Sequence, residues 1–267
     1  MDLKENERID DLELQGLKII QNTKGFCFGM DSVLLSDFAK EIKENNKVID
    51  LGTGTGILAI LLSAKTKLDH VTGVEIQTEV ADMARRSVLL NHLENKIEIV
   101  CEDIKNLKEK YLPNSFDVVI TNPPYKKEGT GGLNERREKL IARHEITANL
   151  EDFIQISHFL LKDKGCLYMV HRTERLVDIM ITLKKYKLEP KELKFVQPSY
   201  TKEPNLILIK AIKNAKPFLK VHKPLYIYDE DGRINISLSG DKTGILIGYR
   251  GETINALQTL ISNIANK

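Results

Sequence analysis

The stretch Asp50-Leu51-Gly52-Thr53-Gly54-Thr55-Gly56 lies between a short apolar run, residues 47–51, and residues 57–64, whose apolar density reads as a helix. Three glycines at alternate positions let the backbone turn tightly and come close to another group. The N-terminus of the helix that follows favours an anion. The spacing is G-x-G-x-G, and Ile57 occupies the place where the G-x-G-x-x-G of a dinucleotide binder has its third glycine. A glycine turn of this kind also serves packing alone, so the surrounding chain must decide between the two readings.

Outward from this turn, strand-like and helix-like segments alternate. Residues 71–75 read as a second strand, 80–92 as an amphipathic helix and 97–100 as a third strand. Residues 116–121 form an apolar fourth strand, 150–161 a helix and 165–170 a fifth strand. Such alternation demands a mostly parallel, doubly wound sheet with helices on both faces, because parallel strands need crossover connections. Residues 193–196 and 206–212 predict a closing antiparallel hairpin at the sheet edge, for seven strands in all. Ligands are expected at the carboxyl ends of the strands. Pro217 and Pro224 bracket a polar connector, and residues 225–239 read as two short strands turning at Asp229-Glu230-Asp231-Gly232. The expected organisation is an N-terminal segment and lid (1–46), the α/β domain (47–224) and a small C-terminal module (225–267).

Bulk composition restricts the class. The 267 residues, 42% hydrophobic and 29% charged, suffice for one sizeable core with a small appendage. No apolar run approaches the ~18–20 residues that span a bilayer, and the acidic, polar N-terminus is unlike a secretory signal. Cys27, Cys101 and Cys166 are far apart with no ligand spacing, so neither a metal nor a disulfide framework is expected, and the environment is read as a reduced cytoplasm. The net charge of +2 is uneven: residues 184–223 hold eleven Lys and three Glu, a local +8 that leaves −6 on the rest. That stretch suits either a polyanion or a solvated face.

Two further acids follow the glycine turn in order. Glu75, at the end of the second strand and 19 residues past Gly56, can accept hydrogen bonds from the hydroxyls of a ribose. Asp103, just after the third strand, can receive the exocyclic amine of an adenine. Either acid alone has the plainer reading of a strand-end carboxylate. Directly after the fourth strand stands Asn122-Pro123-Pro124-Tyr125. The prolines fix φ, remove two backbone donors and hold the residues before them extended. Asn122 then offers a side-chain oxygen and Pro123 a carbonyl, two acceptors for the two hydrogens of an amino group. Tyr125 supplies a flat face on which a base stacks, a contact worth ~1–3 kcal/mol. With the nitrogen lone pair so directed, in-line attack at close range needs placement rather than a strong base. A stiff turn with a capping Asn explains any one of these residues, but poorly explains all four after this strand.

The glycine turn with Asp50, Gly52, Gly54, Gly56, Glu75 and Asp103 resembles the class I S-adenosyl-L-methionine-dependent methyltransferases, a Rossmann-like fold, and those positions fall on that family's cofactor site. Asn122-Pro123-Pro124-Tyr125 resembles the (D/N)PP(Y/F/W) signature of amino-methyltransferases. Within that superfamily the signature serves adenine N6, cytosine N4, guanine N2 and the side-chain amide of glutamine.

Upstream, residues 25–35 (GFCFGMDSVLL) place Phe28 where it either lids the cofactor or simply packs. Downstream, residues 126–137 are glycine-rich and charged, and Ala142-Arg143-His144-Glu145 follows. From about Leu14 to about Gly232, the FxFGxDSxLL stretch, DLGTGTG, NPPY, ARHE and PLYIYDEDG together resemble the bacterial tRNA adenine-N6 methyltransferases that modify an adenine beside the anticodon of a valine tRNA. That resemblance implies tRNA as partner and a base flipped from a poorly stacked loop.

The last forty residues depart from that pattern. Gly248-Tyr249-Arg250-Gly251, within GILIGYRGETINALQTL, resembles the GxxG loop of a Jag-type KH module. Such a loop implies contact with a nucleic-acid backbone, with Arg250 adding charge. Lys267 falls where a KH fold has a strand still to come, so a partial module is expected.

The expected activity is methyl transfer to adenine N6 in tRNA. Alternatives are a protein-glutamine N5 or another nucleic-acid amino-methyltransferase, and a non-catalytic RNA-binding protein using the KH module. The intact Asp50, Glu75, Asp103 and tetrad weigh against the last. Oligomeric state is not readable from the chain.

Overall fold

The computed structural model describes residues 3–25, 27–125 and 148–228. Its elements run β1 (Glu7–Asp11), β2 (Lys18–Asn22), α1 (Met30–Phe38), β3 (Lys47–Leu51), α2 (Ile57–Lys65), β4 (His70–Glu75), α3 (Thr78–Leu90) and β5 (Ile97–Cys101). They continue as α4 (Leu107–Lys110), β6 (Phe116–Thr121), α5 (Leu150–Leu160), β7 (Leu161–Arg172), α6 (Leu176–Lys185), β8 (Leu188–Gln197) and β9 (Leu206–Lys213). Two short strands close the described chain, β10 (Lys220–Val221) and β11 (Leu225–Tyr226).

The central sheet has the order β8-β9-β7-β6-β3-β4-β5, parallel except for β9, which pairs antiparallel with both β7 and β8. These are the seven strands expected, with the 206–212 run inserted as the antiparallel return strand. The order reverses direction between β3 and β6, so their carboxyl ends flank the crevice where a doubly wound sheet holds its ligand. Central strands are apolar on both faces because helices cover both: Val48, Ile60, Val71, Ala84 and Ile120 lie in one core. Ile49, Val119, Phe153, Ile154 and Met169 lie in the other.

Local chemistry sets the element boundaries. Asn149 caps α5 by accepting from the amides of Glu151 and Asp152 at 2.9 and 3.1 Å, while Asp152 accepts from the Asn149 amide at 2.8 Å. The hairpin β1–β2 docks on α3 through charge and backbone pairing. Arg86 bonds Glu7 and Asp82, Asp82 also holds Lys4, and the Ile20 amide donates to Ser87 Oγ at 2.9 Å.

Residues 220–226 do not leave the domain. β10 and β11 both pair parallel with β8, with Leu225 opposite Val196 and Tyr226 opposite Gln197. They cover the backbone groups on the outer edge of β8 that solvent or another chain would otherwise meet. Leu225, the expected first residue of the C-terminal module, is thus on this sheet. Residues 229–267 of that module, with Gly248, Tyr249, Arg250 and Gly251, lie outside the described residues, as do Phe26, the 126–137 stretch and Ala142-Arg143-His144-Glu145.

Candidate active site

The glycine turn is built into the tip of the neighbouring strand. Gly52, Gly54 and Gly56 all have positive φ (72°, 59° and 86°), which explains the alternate glycines: an L-residue is strained in this conformation. The amides of Gly52 and Thr53 both donate to the Val74 carbonyl at 2.9 Å. Thr53 is seated against β4, where a Cβ on Gly73 would meet Thr53 Oγ1 and the Ile99 side chain at 2.9 Å, so Gly73 is required by close approach. A Cβ on Gly54, in contrast, would face open space, which leaves the turn accessible to a ligand on that side.

The acids expected here occupy three distinct environments. Glu75 is buried, and its two oxygens accept from the amides of Gly54 at 3.0 Å and Gln77 at 2.9 Å. Burial raises its pKa, and those amides pull against the rise. Asp50 is fully buried beside the Thr53 hydroxyl. Burial pushes the Asp50 carboxyl up to about 7, against the pull of the adjacent Thr53 hydroxyl and with the Glu75 charge adding to the rise. Asp103 caps the single turn Ile104–Asn106, with one oxygen accepting from the Lys105 amide at 2.9 Å. Phe28 packs against the core on the α2 side of the sheet, and its amide donates to the buried Gln21 at 2.8 Å.

The tetrad leaves β6 beside the glycine turn because Thr121 Oγ1 donates to the Leu51 carbonyl at 2.8 Å, tying the ends of β6 and β3 together. Asn122 and Tyr125 are half-buried, Pro123 is buried and Pro124 exposed. The Tyr125 hydroxyl sits between Asp31, at 2.5 Å, and the Asn122 side chain, at 2.8 Å. Its ring is flanked by His171, with centroids 5.0 Å apart, and by the Arg172 guanidinium, 5.2 Å from the centroid. Burial, and then the Asp31 charge, raise the Tyr125 pKa, so the phenol keeps its proton. His171 is fully buried; its Nδ1 accepts from the Arg172 amide at 2.8 Å, and burial first, then the charge of Arg175, pushes its pKa down to about 4.

Asp31, His171 and Arg172 are not among the residues the sequence pattern pointed to. The signal for Asp31 was present, as the one charged side chain in the 25–35 stretch that leads into α1. Nothing local marks His171 and Arg172 except their place at the carboxyl end of β7.

The lysine-rich stretch is only partly available to a partner. Lys184 pairs with Glu189, Lys185 with Glu151 and Lys210 with Glu192 and Glu41. Lys191 donates to the carbonyls of Lys216, Pro217 and Phe218. Lys213 is buried, donating to Asn114, the His158 carbonyl and the Leu161 carbonyl. Five of the eleven lysines are therefore bound within the fold, and the sequence count of +8 overstates a free cationic face. No helix among the described residues is long and apolar enough to cross a membrane.

Comparison with known proteins agrees with this fold. Residues 29–186 match the methyltransferase small domain model, and residues 207–267 match the KhpA/KhpB KH domain model, a match that begins inside β9. A tRNA1(Val) (adenine(37)-N6)-methyltransferase of Porphyromonas gingivalis is 32% identical over 185 residues, 67% of this chain and 72% of that protein. The protein of the same name from Aliivibrio salmonicida is 24% identical over 211 residues, covering 79% and 87%. Among solved structures, a predicted O-methyltransferase from Agrobacterium tumefaciens superposes with a TM-score of 0.62 at 21% identity, covering 83% of this chain and 96% of that one. A tRNA m1G37 methyltransferase of M. jannaschii superposes with a TM-score of 0.56 at 14% identity, covering 81% and 59%.

Proposed function

We propose, on the premise that this chain belongs to the methyltransferase small domain family, that it methylates N6 of an adenine in the anticodon-loop region of a tRNA, a valine tRNA by its relatives' names. The observation that carries the reading is the joining of the tetrad to the glycine turn through Thr121 and Leu51, which sets an amine-binding motif beside a cofactor loop.

S-adenosyl-L-methionine supplies the electrophilic methyl group when bound. The chain's own residues hold and orient. Gly52, Gly54 and Gly56 allow close backbone approach, Asp50 closes β3 beneath the turn, and Glu75 at the end of β4 is the acceptor for ribose hydroxyls. Asp103, just after β5, receives the exocyclic amine of the cofactor's adenine. Asn122 Oδ1 and the Pro123 carbonyl accept the two hydrogens of the target amine, while the Tyr125 ring stacks the flipped base. The amine sheds a proton after attack, so no strong base is needed at the site. In this reading the Gly248–Gly251 loop contacts the RNA backbone.

The test is nucleoside mass spectrometry on unmodified tRNA incubated with the full chain and S-adenosyl-L-methionine, beside Asn122→Ala. New N6-methyladenosine with the parent, reduced about 10²–10³-fold in the variant with cofactor affinity retained, is expected from loss of one positioned acceptor. Absence of any methylated nucleoside, with transfer instead to a glutamine in a protein substrate, overturns the reading.

A further inference from the structure

We propose that Asp31 is a positioning residue that sets, through the phenol of Tyr125, which end of the Asn122 amide faces the substrate; this rests on reading the tetrad as an amine-binding motif. Tyr125 carries one hydroxyl proton and has two polar neighbours, Asp31 Oδ2 at 2.5 Å and the Asn122 amide at 2.8 Å. A carboxylate offers only acceptors, so the phenol proton goes to Asp31 in a short, charge-assisted bond. The lone pairs of the phenol oxygen are then left facing Asn122.

The atom at 2.8 Å is placed as Oδ1, but the two ends of an amide are isosteric and proton count decides between them. Oxygen there would leave two acceptors competing for one proton. The Nδ2 group there donates to the phenol and completes the chain Asn122 to Tyr125 to Asp31. Oδ1 is thereby turned the other way, free to accept from an amine. With Asp31 removed, the phenol can donate to Asn122 Oδ1 instead, and the amide then presents its own NH2 to the substrate NH2. Donor meets donor, and the acceptor the reaction needs is lost.

Asp31 is held for this task from behind. It lies in the first turn of α1, just after the segment tied down by the Phe28 amide donating to Gln21 Oε1. Gln21 is itself buried and donates to Asp10. The hairpin β1–β2, docked on α3, thus anchors a residue whose effect is exerted two side chains away.

The test is a double-mutant cycle with tRNA as substrate: parent, Asp31→Ala, Tyr125→Phe and both together. Each single change is expected to lower kcat about 10–100-fold with KM for tRNA and cofactor affinity within about twofold, since stacking and the cofactor turn are untouched. The double variant is expected to be no worse than Tyr125→Phe, because Asp31 acts only through that hydroxyl. Losses that add overturn the proposal. A second readout is independent of turnover: the side-chain NH2 resonances of Asn122 in protein labelled with nitrogen-15 at asparagine. One proton shifted by its bond to Tyr125 in the parent, and released in both single variants, supports the proposal even where tRNA is not methylated, which would sink the substrate reading alone. Resonances unchanged across the set overturn it.

Discussion

The amide of Gly54 donates to the carboxylate of Glu75 at 3.0 Å, joining the middle of the glycine turn after β3 to the acid that ends β4. The turn and the acid are one unit, so a change in either disturbs the other. Gly54 has φ of 59° and open space where a Cβ would stand. Gly54→Ala is therefore expected to cost about 1 kcal/mol in stability from backbone strain alone. Cofactor affinity, read by calorimetry, should fall by more than that cost implies. Equal losses would mean that the open side of Gly54 does not face the ligand.

Asp50 gives the folded chain a distinctive pH dependence. Its carboxyl is raised from 3.8 to about 7, chiefly by burial, so between about pH 4 and 7 it is protonated when folded and ionised when unfolded. Its contribution to stability falls as pH rises through that window and stays low above it, by something on the order of a few kcal/mol. Asp50→Asn removes that slope. In urea melts without cofactor, the variant should gain on the parent from pH 4 to 7, while binding cofactor about tenfold more weakly or worse. A constant difference across the window would refute the assignment.

His171 behaves in the opposite sense. Its pKa is depressed from 6.5 to about 4, so it stays neutral in the folded chain where the unfolded chain takes up a proton. Stability from this group is present above about pH 6.5 and is lost as pH falls toward 4. Nitrogen-15 spectra of the histidines should show a ring protonated at Nε2 alone, because Nδ1 accepts from the Arg172 amide, and no second protonation until about pH 4. Titration near 6.5 would contradict the buried placement.

Lys213 illustrates why charge counted along a chain is a poor map of a surface. Its ammonium donates at 2.8 Å to Asn114, 2.6 Å to the His158 carbonyl and 2.8 Å to the Leu161 carbonyl, using all three donors. Lys213→Met should lower stability by about 2–4 kcal/mol, by leaving those acceptors unpaired, and leave tRNA affinity unchanged. Weaker tRNA binding by a folded Lys213→Met protein would return this lysine to the RNA face.

A chain ending after Gly232 keeps β10 and β11 on β8, with Tyr228 donating to the Pro198 carbonyl at 2.7 Å. It should fold with an unchanged melting temperature and methylate tRNA with undiminished kcat, its KM for tRNA raised by loss of the KH-like segment. A chain ending after Lys216 uncovers the edge of β8 and should melt several degrees lower. Equal melting of the two would show that β10 and β11 contribute nothing to the sheet.

By itself the sequence determined the doubly wound fold, the return strand and the position of the glycine turn. These follow from local causes: alternating periodicities, glycines where φ is positive, and acids at strand ends. The tetrad was legible for the same reason, since two prolines and an asparagine constrain their own backbone. What surrounds the tetrad was decided only by tertiary structure. Asp31 meets Tyr125 across 94 positions, and His171 and Arg172 reach the ring from β7. The fate of each lysine likewise depends on which acceptor from another element comes within reach. Contacts of this kind are chosen by packing between distant segments, whose geometry no local pattern encodes.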